Sequence, residues 1–107
     1  MLEAERERRK AQVAALERSF GELVVASQSS NADDEHDPEG ATIAFERTQL
    51  AAQIANAQAA VDGVNEALAR LRAGTYGMCE SCGRPIAAAR LEARPSATMC
   101  ITCASRR

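Results

Sequence analysis

The chain has 107 residues, enough for one small domain or for a helical element with a small module attached. It has no Trp, one Tyr and two Phe, and much of its apolar content is Ala, which leaves little for a compact core and predicts an elongated protein held by helix pairing plus a staple such as a metal. No apolar run approaches the roughly 20 residues that span a bilayer, and the mixed-charge start, Met1 to Lys10, lacks the apolar stretch of a signal peptide, so a cytoplasmic protein with reduced thiols and no membrane partner is expected.

Residues 2–27 read as a helix. Val13, Leu16, Phe20 and Leu23 follow the 3-4-3 spacing of an apolar stripe. Leu2, Arg6 and Arg9 extend the register with charged stems at two positions, so the N-terminal turns are expected to be more weakly held.

Residues 28–40 break the pattern with Ser, Asn, Asp, Pro and Gly, which predicts a loop. The net charge of −2 is unevenly spread. Residues 28–47 hold six acids, Asp33, Asp34, Glu35, Asp37, Glu39 and Glu46, against one Arg. Asp37 before Pro38 predicts a helix entry, because Asp caps free N–H groups and Pro suits the first helical position. The bland reading of the acids is a solvated turn with a capping Asp. His36, the one His, reads as a solvated loop residue.

Residues 38–72 read as a second, long helix. Ile43, Leu50, Ile54, Ala57, Val61, Val64, Leu68 and Leu71 keep heptad spacing, with Arg47 the one polar member and Gly63 a weak point. Two such helices joined by a short polar loop should fold back as an antiparallel pair. Pairing residues whose numbers sum to about 66 sets Leu23 by Ile43, Leu16 by Leu50 and Val13 by Ile54. An intermolecular or trimeric coiled coil would use the same stripes; the hairpin is preferred because one register satisfies both. Such a hairpin would be about 40 Å long, with residues 33–39 at its tip.

Cys79 and Cys82 form one C-x2-C pair, Cys100 and Cys103 another, with 17 residues between them. Two residues between ligands let a tight knuckle aim both thiolates at one ion, and Gly77 and Gly83 ease the backbone turns. Four thiolates make a closed, tetrahedral zinc site of structural type, which predicts one zinc and no catalytic metal. A redox C-x2-C pair or an iron–sulfur cluster would use the same residue type, but nothing else in the sequence favours either. Arg84, Arg90, Arg94, Arg106 and Arg107 make this end mildly basic. The negative charge of a zinc tetrathiolate offsets much of that excess. No recognition helix with base-reading side chains is evident, so sequence-specific DNA binding is not expected.

The fold expected is therefore mainly α: a long antiparallel coiled-coil hairpin over 1–73, with an acidic tip loop at 28–40, followed by a four-cysteine zinc module over 74–107.

The run Tyr76-Gly77-Met78-Cys79-Glu80-Ser81-Cys82-Gly83, then Ile86, Arg90-Leu91-Glu92-Ala93-Arg94-Pro95, Ala97 and Cys100-x-x-Cys103, resembles the DksA/TraR family of bacterial transcription factors. The resemblance implies a non-enzymatic regulator that binds RNA polymerase, with the hairpin in the secondary channel and tip acids near the active site, altering the lifetime of promoter complexes. The tip residues it implies are Asp33, Asp34, Asp37 and Glu39. The family tip motif is Asp-x-x-Asp-x-Ala; Asp34 and Asp37 supply its acids, with Glu39 in place of Ala. An ungapped count back from Cys79 instead aligns His36, Glu39 and Ala41. Members that respond to guanosine tetraphosphate (ppGpp) carry basic residues where this chain has Gly63 and Ala104, and only Arg94 matches, so weak or absent ppGpp binding is expected. Four residues follow Cys103 where longer members have a helix, so part of that polymerase contact is expected to be lost. The alternatives are a zinc-bearing adaptor or DNA-binding protein of the same fold with a different target, and a thiol redox sensor using Cys79 and Cys82.

Overall fold

Apolar stripes, a proline entry and a glycine exit define the two long helices. A computed structural model describes residues 1–29 and 38–106. Helix α1 spans Leu2–Ser29 and α2 spans Pro38–Ala73, slightly beyond the predicted ends at 27 and 72. Glu3 and Glu5 lie in the first turn of α1, and Arg70 and Arg72 in the last turn of α2, where each charge opposes the local helix dipole. Pro38 takes the first helical position of α2, where its missing N–H costs nothing.

The exit from α2 is a Schellman cap. The N–H of Gly74 donates to the Leu71 carbonyl at 3.2 Å and that of Thr75 to the Arg70 carbonyl at 2.9 Å. Gly74 adopts φ 81, a left-handed conformation that costs a side-chain-bearing residue about 1–2 kcal/mol.

Two further helices are short: α3, Ala88–Ala93, and α4, Ile101–Ser105. No strand forms among the described residues; the one extended contact is an isolated antiparallel bridge between Met78 and Pro85.

The chain divides into two compact units, one of Arg9–Ala59 and one of Met1–Arg8 with Ala60–Arg107. In the first, Val13, Leu16, Phe20, Leu23, Ile43, Leu50 and Ile54 are half-buried and Ala57 is buried. Arg47 fits this seam by placing its guanidinium 6.0 Å from the centroid of the Phe20 ring. A cation over an aromatic face contributes about 0.5–1 kcal/mol at an exposed site. Val25 and Phe45 stand outside the stripes and are exposed.

In the second unit Leu2, Val64, Ala67 and Leu68 form the core, with Tyr76 packed against it. Leu2 is only 4% exposed, so the first turn of α1 is anchored more firmly than the charged stems of Arg6 and Arg9 imply. Leu71 departs from the predicted stripe: it is 53% exposed because it lies a turn beyond the reach of Leu2. Leu2 with Val64 and Phe20 with Arg47 both keep the antiparallel register predicted from the stripes.

Candidate metal centre

The first knuckle is a tight reversal after α2. Cys79 N–H donates to the Arg84 carbonyl at 2.8 Å, and Gly83 N–H returns to the Cys79 carbonyl at 2.9 Å. Closing this loop requires φ 75 at Gly83, as the sequence pattern predicts. Ile86 is buried beside it, with its N–H on the Gly77 carbonyl at 2.7 Å. The reversal turns Cys79 inward, where it is buried, and leaves Cys82 exposed.

The second knuckle opens α4. Cys100 is the residue before its first turn, in extended conformation, and its carbonyl accepts the Ala104 N–H at 2.9 Å. Cys103 lies within that turn. The two knuckles are tied by Glu80 N–H donating to the Thr98 carbonyl at 2.9 Å.

These loops gather the four cysteines. One sulfur from each of Cys79, Cys82, Cys100 and Cys103 lies within 4.8 Å of the other three, and Cys82 Sγ is 3.8 Å from Cys100 Sγ. With zinc–sulfur bonds of about 2.3 Å, tetrahedral geometry sets sulfurs about 3.8 Å apart. The donor set is therefore the right chemistry at the right spacing for a single zinc ion.

Electrostatics point the same way. The backbone N–H of Cys100, then that of Cys82, hold the Cys79 thiol down at about 6, against the opposing effect of burial. Cys100 is lowered chiefly by the backbone N–H of Cys103. Cys103 is pushed up to about 12, first by the neighbouring Cys100 thiol and then by Cys79. Negative charge is welcomed at one end of the cluster and refused at the other. A divalent cation at the centre removes that conflict by stabilising all four thiolates.

The arginines of this end differ in their surroundings. Arg90 is half-buried and its Nε–H donates to the Met99 carbonyl at 2.9 Å. Arg84, Arg94 and Arg106 are exposed. A cavity of about 320 Å³ is lined by Arg90, Arg94, Ser96, Thr98, Ala104 and their neighbours. Gly63 faces the same wall, since a Cβ there would meet Ser96 Oγ at 3.8 Å. Asp33, Asp34, His36, Asp37 and Arg107 lie outside the described residues, and Glu39 falls in the first turn of α2. Sequence reasoning did not single out Arg70 or the hydroxyl of Tyr76, which donate to the carbonyls of Ala97 and Pro95 at 3.4 and 2.7 Å.

Paired helices followed by a four-cysteine finger define a class, the helical-hairpin zinc-finger proteins. A family profile described as "Prokaryotic dksA/traR C4-type zinc finger" matches residues 74–107. Two curated relatives, both "RNA polymerase-binding transcription factor DksA" from strains of Caulobacter vibrioides, are 51% identical over 41 residues, 38% of this chain. The matched stretch spans 29% of those relatives' length. The solved structure of transcription factor DksA2 from Pseudomonas aeruginosa is similar over 98% of this chain and 75% of its own, at 30% identity and a TM-score of 0.80. The chain belongs to the DksA/TraR family. Its cofactor is one structural zinc ion.

Proposed function

We propose that this chain is a cytoplasmic, non-enzymatic regulator that binds RNA polymerase through the secondary channel and modulates the stability of promoter complexes. The observation that carries this reading is the likeness to the DksA2 structure, which takes in the helix pair as well as the zinc finger. The RNA polymerase-binding relatives add the partner. No described helix is long and apolar enough to cross a membrane.

In this reading residues 1–73 are the inserting element and 74–107 the module that braces it. Cys79, Cys82, Cys100 and Cys103 are the zinc ligands. A zinc with four thiolates has no open position for a reacting water, so its role is structural. Asp33, Asp34, Asp37 and Glu39 form the working tip, and their negative charge is steered towards a basic channel.

Binding of ppGpp is weak or absent. Arg94 and Ala104 line one cavity and Gly63 faces Ser96 in its wall, yet among the lining residues positive charge comes from Arg90 and Arg94 alone, and Arg90 already serves Met99.

The test is in vitro transcription with bacterial RNA polymerase. Asp34→Asn with Asp37→Asn should abolish the effect on promoter complexes while leaving polymerase binding largely intact. Full activity in that variant would rule out the tip mechanism.

A further inference from the structure

Residues 95–99 run from the end of α3 to Cys100, and their carbonyls are held to an unusual degree. Pro95 accepts from the Tyr76 hydroxyl at 2.7 Å, Thr98 from Glu80 N–H at 2.9 Å, and Met99 from Arg90 Nε–H at 2.9 Å. Ala97 accepts a longer bond, 3.4 Å, from Arg70 Nη2. The donors come from the end of α2, the turn after it, the first knuckle and α3. No regular secondary structure covers this strap, and it leads directly into the second metal knuckle.

We propose that Tyr76 and Arg90 are positioning residues of the metal centre. Neither offers a zinc ligand. Each fixes the strap so that Cys100 and Cys103 stand opposite Cys79 and Cys82 before the ion arrives. Tyr76 is well placed for this, because it packs against the core of Leu2, Val64, Ala67 and Leu68 while its hydroxyl reaches the strap. Arg90 is equally suited, because the donating Nε is fixed in a planar guanidinium, which lysine does not reproduce. Partners behind the ligands typically change metal affinity by about 10–100-fold.

This inference rests on the zinc reading above. The test uses the full chain loaded with zinc and follows metal transfer to a chromophoric chelator. Tyr76→Phe and Arg90→Lys should each release zinc about tenfold faster or more, whereas Arg84→Gln, changed at an exposed side chain of the module, should match the unsubstituted chain. At saturating metal, helix content and the ligand-field bands of the cobalt-substituted proteins should be the same in all four, which separates positioning from damage to the fold. Release from zinc-loaded Tyr76→Phe and Arg90→Lys as slow as from the unsubstituted chain would overturn the proposal and leave the zinc reading standing. An unsubstituted chain that takes up no zinc would overturn both.

Discussion

Cys82 Sγ stands 3.8 Å from Cys100 Sγ, although 17 residues separate them and each belongs to a different knuckle. That distance is the edge of a zinc tetrathiolate, and the backbone hydrogen bond from Glu80 N–H to the Thr98 carbonyl helps the fold reach it. Protein purified under reducing conditions should carry one equivalent of zinc by elemental analysis. Chelation should leave most of the helical circular dichroism in place and speed tryptic cleavage after Arg90, which is half-buried and followed by Leu91. Among the described residues of the module only Cys79 and Ile86 are buried, so apart from the hydrogen bonds that fix residues 95–99 the metal is its main tie. Less than one equivalent of zinc would remove the metal assignment.

Zinc uptake should depend on pH with a definite sign. In the metal-free cluster Cys79 titrates at about 6, while Cys103 keeps its proton up to about 12. At neutral pH the incoming ion must therefore displace at least the Cys103 proton. By mass action, affinity falls as pH falls and rises as pH rises between about 6 and 8. Calorimetry in buffers of different ionisation enthalpy should report that proton release; uptake without release would contradict the cluster's electrostatics.

Leu68 and Leu71 share a stripe in the sequence but not in the structure. Leu68 is 6% exposed and Leu71 is 53% exposed. Leu68→Ala should cost about 2–4 kcal/mol of unfolding free energy. Leu71→Ala should stay within about 0.5 kcal/mol. Denaturant unfolding of zinc-loaded protein distinguishes them, and equal losses would place both in the core.

Much of this was legible from the residues. Heptad spacing gave both long helices because a stripe spread over many turns has a period that short segments cannot imitate. Cysteine spacing gave the metal centre because ligand geometry is nearly local. Helices α3 and α4 were not legible, since six and five residues are too few to show a period. The exposure of Leu71 was hidden because it depends on where the partner helix begins. The roles of Tyr76 and Arg90 depend on contacts across 19 and 9 residues, which no pattern along the chain encodes.

Gly63 is a helix-interior glycine with room beside it. An added Cβ would lie 3.8 Å from Ser96 Oγ, an ordinary contact. Gly63→Ala should stabilise the protein by about 1 kcal/mol, measured by thermal or denaturant unfolding. Gly63→Lys with Ala104→Lys should add measurable ppGpp affinity at the cavity shared with Arg94, detected by equilibrium binding. Unchanged binding would show that this cavity is not the nucleotide site.

The most direct test of the functional account is association with purified core RNA polymerase at low salt, with the secondary channel open or blocked. The account predicts a stable complex with the open enzyme and its loss when the channel is blocked. No association, or association that blocking leaves unchanged, would contradict it.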